Sequence, residues 1–267
     1  MKTDLDYKAI NKETWNKRTE VHYDSDFYDN EAFIAGKNSL NSIELDLLGD
    51  VTGKSILHLQ CHFGQDTIQW TRQGCTKATG VDLSDKAIDR ARELAKICGS
   101  NAEFVCSDIY DLPQNHEGQY DIVFTSYGTI GWLPDINKWA EVVNHFLKPG
   151  GKFLIVDFHP ALWMFDDDFT KVTFRYFNTE PIVEEEGTYT DGDEGMKAKC
   201  ISWNHGLGEI IMSLIHQGLN ISSVTEYDYS PYDCFGDATT KIDDRKYRIT
   251  SMEDKLPMVY GIMAEKN

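Results

Sequence analysis

Four short stretches of the chain hold side chains suited to binding a small polar molecule: Gln60-Cys61-His62-Phe63-Gly64, Asp82, Ser107-Asp108 and Thr125-Ser126-Tyr127. Each follows a run of apolar residues. Gly64 lets a turn bring its backbone close to a ligand. Asp82, as a carboxylate, can accept from two hydroxyls at once, the demand made by a ribose. Asp108 can accept from an exocyclic amine such as that of adenine. Together they suit an adenosine-type ligand. A dinucleotide's pyrophosphate asks for G-x-G-x-x-G, so that backbone and helix N-terminus can approach it. This turn has one glycine and weighs against that ligand, although Asp82 alone does not discriminate.

Other candidates are less specific. His159 follows an apolar run, and a neutral imidazole there suits a general base near pH 7. Tyr127 to Trp132, with Trp163, Trp203 and the neighbouring aromatics, could wall a pocket for a planar or apolar molecule, or could simply be core. The runs Asp166-Asp167-Asp168 and Glu184-Glu185-Glu186 read as solvated loop faces. No His, Cys and acid spacing suits a metal, and no nucleophile–base signature is present.

The elements that must position these residues follow from periodicity. Ser55 to Gln60 is a short apolar strand, and Asp66 to Arg72 a helix stopped by Gly74. Lys77 to Val81 is a strand ending at Asp82. Ser84 caps a helix from Asp85 to Cys98 whose apolar face is Ala87, Ile88, Ala91, Leu94 and Ala95. Glu103 to Cys106, Tyr120 to Thr125 and Lys152 to Phe158 are further strands, with a helix from Ile136 to Leu147. Strands alternating with helices give a parallel α/β sheet, whose ligands lie beyond the carboxyl ends of the strands. The candidates above sit at those ends. Residues 160–203 break the rhythm as an insertion, with an extended strand or hairpin expected over Thr170 to Phe177. A helix from Leu207 to Gln217 and strands over Asn220 to Tyr229 and Met258 to Ala264 complete the sheet.

Composition narrows the function classes. The 267 residues carry 26 Lys and Arg against 44 Asp and Glu, a net charge of -18, so a nucleic-acid partner would be repelled. No apolar run reaches the roughly 20 residues of a membrane helix, and the N-terminus has no secretory signal. The six cysteines are scattered without a CxxC pair, as expected of free thiols in a cytoplasmic protein.

Ile56-Leu57-His58-Leu59-Gln60-Cys61-His62-Phe63-Gly64 resembles the first motif, V-L-D-L-G-C-G-x-G, of class I S-adenosylmethionine-dependent methyltransferases. Gly80-Val81-Asp82-Leu83-Ser84, Cys106-Ser107-Asp108-Ile109, Tyr120-Asp121-Ile122-Val123 and Leu147-Lys148-Pro149-Gly150-Gly151-Lys152 follow in that family's order. The resemblance covers about residues 51–158. His58 replaces the usual acid, and Gln60 and His62 replace the first two glycines. The stretch L-Q-C-H-F-G-Q-D is similar to a variant carried by a subgroup of small-molecule methyltransferases.

The resemblance implies an α/β, Rossmann-like class I methyltransferase fold, with a mostly parallel seven-stranded sheet and helices on both faces. It implies S-adenosylmethionine as cofactor, held by Gln60, Cys61, His62, Gly64, Asp66, Asp82, Leu83, Ser84, Ser107, Asp108, Ile109, Thr125 and Ser126. It also implies an N-terminal helical lid, residues 1–50, over a methyltransferase domain, 51–267. In that lid Arg18 would hold the methionine carboxylate, and Trp15 or His22 would close the site. Tyr127, Trp132, His159, Trp163 and Trp203 are expected on the acceptor side, with His159 as the catalytic candidate. The partner expected is a small-molecule acceptor, taken up by a monomer or homodimer. Two further readings stand beside it: a non-catalytic or regulatory S-adenosylmethionine-binding protein, motivated by the lost glycines, and an NAD-dependent oxidoreductase.

Overall fold

A computed structural model describes residues 6–178, 180–192 and 195–267. Three helices come first: α1 (Tyr7–Tyr23), α2 (Asn30–Ile34) and α3 (Ser42–Leu48). The alternating unit follows as β1 (Ser55–Leu59), α4 (Gln65–Arg72), β2 (Lys77–Asp82), α5 (Asp85–Ile97), β3 (Glu103–Cys106), α6 (Leu112–Asn115), β4 (Tyr120–Ser126), α7 (Ile136–Phe146) and β5 (Leu147–Phe158). Then come the hairpin β6 (Ile182–Glu186) and β7 (Ala198–Ser202), α8 (Leu207–His216), β8 (Leu219–Tyr227), the hairpin β9 (Thr239–Asp243) and β10 (Lys246–Ile249), and β11 (Val259–Lys266).

Seven strands form one sheet in the order β3-β2-β1-β4-β5-β11-β8. β1 to β5 pair in parallel, and β11 runs antiparallel to both β5 and β8. The order reverses between β1 and β4, so their carboxyl ends diverge and leave a crevice there. Alternation along the strands builds a core on each face. Leu57, Val123, Phe153 and Ile155 pack with Trp139, Val143 and Phe146 of α7 and Leu214 of α8. Their neighbours Ile56, Phe124, Leu154 and Val156 pack with Trp70 of α4 and Ile43 and Leu48 of α3. Thus α3 is part of the sheet's core layer, whereas α1 lies elsewhere.

The apolar face read for α5 is buried, and Ser84 caps it by accepting from Ala87 N at 3.0 Å. The insertion differs from expectation. Thr170 to Phe177 forms no strand: a single bridge joins Phe165 to Val172, and Phe177 is 88% exposed. The aromatic run there alternates in sequence without a second surface to bury against. The insertion's hairpin is β6–β7, whose Glu-rich first strand gives no apolar period to read. β7 is docked on α1 by Asn11, which donates to Ile201 O at 2.8 Å and accepts from Ile201 N at 2.9 Å. Thr14 Oγ1 also donates to Lys199 O, at 2.5 Å. The N-terminal helix and the insertion therefore roof the strand tips together. Among the described residues, no helix is long and apolar enough to cross a membrane.

Candidate active site

The turn after β1 holds three left-handed residues in alternation, Gln60 at φ 57°, His62 at φ 52° and Gly64 at φ 81°. All three occupy positions where the resembled motif has glycine, and two carry side chains here, so the backbone path of the turn survives the exchange. A left-handed non-glycine residue costs about 1–2 kcal/mol, and local contacts offset this. Gln60 Nε2 donates to Thr129 O at 2.7 Å, and His62 N donates to Asp82 Oδ2 at 2.8 Å. The His62 ring packs against Trp15, Tyr28 and Phe63 and meets His22 Nδ1 at 2.9 Å. Burial pushes both imidazoles down, His22 to about 3. They are neutral at pH 7, and one donates to the other.

Only Gly64 has no room for a side chain, because an added Cβ would lie 2.6 Å from Phe104 Cζ. Gly64→Ala should therefore destabilise the protein by about 2 kcal/mol, from the positive φ together with the clash. A thermal melt checks this, and an unchanged midpoint would show that Phe104 yields freely.

The carboxylates at the next two tips are differently placed. Asp82 Oδ2 accepts from His62 N and Oδ1 from Ser84 N, at 2.8 and 2.9 Å, so each oxygen keeps acceptor capacity toward the crevice. Burial pushes its carboxyl up to about 6. Asp108 Oδ1 accepts from Tyr110 N at 2.9 Å and pairs with Lys8 Nζ of α1, also at 2.9 Å. The roof helix is thus tied directly to the third strand's tip.

Beyond β4, Tyr127 at φ 44° and Gly128 at φ 73° make a second left-handed turn. Asp157, only 3% exposed on β5, holds it. Its carboxylate accepts from Gly128 N, from Thr129 N at 3.1 Å and from Thr129 Oγ1 at 3.0 Å. Tyr127 OH donates to Glu44 Oε2 at 2.9 Å, and Trp132 Nε1 to Gly128 O at 2.8 Å. Because Gln60 donates to Thr129 O, the two turns form one connected rim.

The rim surrounds a cavity of 820 Å³, large enough for two ligands of ordinary size. Of the sequence-read cofactor candidates, Trp15, Arg18, Gln60, Cys61, His62, Gly64, Asp66, Asp82, Leu83, Asp108, Ile109 and Ser126 line it. So do Tyr127, Trp132, Trp163 and Trp203 from the acceptor set. Five candidates lie outside it. His22 sits behind His62 and meets Thr188 Oγ1 at 2.5 Å. Ser84 is spent as the α5 cap, and its hydroxyl donates to Asn16 at 2.6 Å. Ser107 Oγ donates to Asp108 O at 2.9 Å, and Thr125 Oγ1 to Leu59 O at 3.1 Å.

His159, the fifth, is held at the end of β5. Its Nδ1 accepts from Ala161 N at 3.1 Å and its Nε2 faces Glu226 of β8 at 2.9 Å. The ring joins a strand end to the sheet and is not among the residues that line the cavity. Sequence reasoning passed over Asp157 and Glu44. A signal existed for Asp157, an acid inside the apolar run Phe153 to Phe158. Glu44 gave none, since it reads as an ordinary first-turn acid. Among the described residues, no three His, Cys, Asp or Glu side chains converge on a metal position.

Residues 56–151 match the family model of the methyltransferase domain. An uncharacterised methyltransferase of Synechocystis sp. is 34% identical over 49% of this chain and 60% of its own length. Demethylmenaquinone methyltransferase of Lactococcus lactis subsp. lactis is 30% identical over 46% of this chain and 49% of its own. The chain thus spans about half of the curated relatives it matches. Among solved structures, an S-adenosylmethionine-dependent methyltransferase from Mesorhizobium loti superposes with TM-score 0.58 at 21% identity, over 87% of this chain and all of that one. Geranyl diphosphate C-methyltransferase from Streptomyces coelicolor A3(2) gives TM-score 0.61 at 14% identity, with both chains fully covered. The fold is that of the class I methyltransferases, Rossmann-like with one antiparallel strand in seven.

Proposed function

We propose that this chain, with a methyltransferase domain over residues 56–151, transfers a methyl group from S-adenosylmethionine to a small-molecule acceptor. The observation that carries the reading is Asp82. It is a half-buried carboxylate at the second strand tip, with one backbone donor on each oxygen and the remaining lone pairs open to a cavity that has no phosphate cradle. Two ribose hydroxyls would complete its hydrogen bonding. Leu83 and Ile109 flank the place for the adenine, with Asp108 at its edge. Arg18, 4% exposed between the rings of Trp15 and Trp132, is the residue for the methionine carboxylate.

When bound, S-adenosylmethionine supplies a methyl group already activated by its sulfonium, so direct displacement needs little covalent help. The chain's own residues therefore align and exclude water. The two left-handed turns place the rim, Asp157 keeps the second turn in register, and α1 with β6–β7 roofs the chamber. A roofed chamber of this volume supports a small molecule as acceptor.

Calorimetry with S-adenosylhomocysteine tests the reading, with NAD as the comparison. Micromolar binding of the former and none of the latter is expected. Binding of NAD alone would overturn the assignment.

A further inference from the structure

We infer that the acceptor is a protonated amine on an apolar body, methylated at nitrogen, and seated on a polar floor of Asp66, Tyr127 and His58 with Glu44 behind Tyr127. The inference rests on the methyl-transfer reading above and adds the substrate's chemical class.

The cavity wall away from Asp82 is aromatic. The Tyr232 ring lies edge-on to Tyr127, with centroids 4.9 Å apart, and Phe27 lies 5.8 Å from Tyr232. Phe158 and Phe235 continue the wall at 5.6 Å. Aromatic faces of this kind suit an apolar body and attract a cation.

The floor is built from hydrogen-bond acceptors. Glu44 is 0% exposed and forms no ion pair, and its oxygens take donors from Tyr127 OH, Asn41 N and Asn41 Nδ2 at 2.9, 2.6 and 3.1 Å. Asp66 lines the cavity and, among the described residues, forms no close ion pair, with the Ser39 hydroxyl and the charge of Arg245 as its favourable neighbours. Arg245 is the cation nearby, but its guanidinium donates to the carbonyls of Leu40, Asn38 and Ser39 instead of to a carboxylate. An independent observation comes from His58, which is 3% exposed and lines the same cavity. Its Nδ1 meets Thr67 Oγ1 at 2.9 Å, and its Nε2 has no partner. Burial pushes this imidazole down to about 3, so the ring is neutral. With Nδ1–H donated to Thr67, Nε2 is a buried acceptor awaiting a donor.

The Asp66 carboxylate, the Tyr127 oxygen and an orphaned imidazole nitrogen ask for a ligand that brings several N–H donors and a positive charge. An ammonium does both. An alcohol offers one donor and no charge, and a carboxylate is repelled.

The step balances within the site. The ammonium gives one proton to the Asp66 carboxylate, which burial makes a stronger base than a free carboxylate. The freed nitrogen lone pair forms the bond to the methyl carbon, and the carbon–sulfur bond breaks with its electron pair left on sulfur. The methylated amine departs as a cation, and Asp66 returns its proton to solvent.

The test uses full-length protein saturated with S-adenosylhomocysteine, titrated calorimetrically at pH 7 with phenethylamine, 2-phenylethanol and 3-phenylpropionate. Phenethylamine should bind at least about tenfold more tightly than the alcohol, as expected for a charged hydrogen bond in an aromatic-walled site. Asp66→Asn, conservative in shape, should bring that ratio to within about twofold, one decade being 1.4 kcal/mol. Equal binding of amine and alcohol, or a preference that survives Asp66→Asn, overturns the inference. A preference seen only when 5′-methylthioadenosine replaces S-adenosylhomocysteine also overturns it, because the floor would then hold the cofactor's own ammonium. Failure to bind S-adenosylhomocysteine at all would instead bring down the underlying methyl-transfer reading.

Discussion

Asp82→Ala is expected to weaken S-adenosylhomocysteine binding by about one to two decades, since a hydrogen bond to a charged group contributes about 1.5–3 kcal/mol. The carboxylate is the only side chain at the second strand tip able to accept from two hydroxyls together. It also holds His62 N and Ser84 N, at 2.8 and 2.9 Å. Asp82→Asn separates these roles, because the amide keeps one acceptor oxygen and the packing but loses the charge. It should fall between wild type and alanine. The acidity of Asp82 adds a pH signature. Burial places its carboxyl near 6 in the free protein, and the hydroxyls of the ligand favour the ionised form. Affinity should be level above that pH and decline as pH falls through it. Calorimetry across pH 5 to 8 checks both points. An alanine variant with wild-type affinity would falsify the placement of the ribose.

The largest stability change is expected at Asp157. Its carboxylate is buried on β5 and satisfies Gly128 N, Thr129 N, Thr129 Oγ1 and its neighbour Phe158 N. Asp157→Ala leaves these donors in a buried place with no acceptor. Each stranded donor costs about 1–3 kcal/mol, and partial hydration of the new space returns some of that. A net loss of at least about 3 kcal/mol follows, a fall in melting temperature of about 10 °C for a chain of this size. Asp157→Asn keeps one acceptor oxygen and should lose less than half as much. Because Thr129 also receives Gln60, the damage should reach the first turn and weaken S-adenosylhomocysteine binding as well. Differential scanning calorimetry gives the first number. A melting temperature within a degree or two of wild type would mean that the loop stands without this anchor.

The alternating unit was legible because local and tertiary demands coincide there. Strands buried on both faces must be apolar throughout, a crossover helix must show one apolar stripe, and a cap such as Ser84 acts within three residues of its target. Asp82 and Asp108 were legible for a related reason: each ends a recognisable strand, and strand ends of a parallel sheet gather on one rim. Legibility failed where a residue's partner is distant in sequence. His159 and Glu226 are neighbours only because β11 pairs with both β5 and β8, which no spacing within either strand announces. Glu44 became a cavity group only through Tyr127, 83 residues away. The exposed hairpin β9–β10 escaped notice because a strand with little to bury carries little apolar period.

By itself the amino-acid order determined the class of the fold, the order of its elements and the carboxylates on the second and third strand tips. Those carboxylates are Asp82 and Asp108, and all of these features depend on short-range pattern and on the handedness that parallel crossovers impose. Tertiary structure alone decided which side chains face the cavity, that Gln60 and His62 adopt a glycine-like backbone, that α1 and the insertion share a roof, and that Glu44 is buried behind Tyr127. Those outcomes depend on packing between segments far apart along the chain, where burial and contact are properties of the assembled molecule.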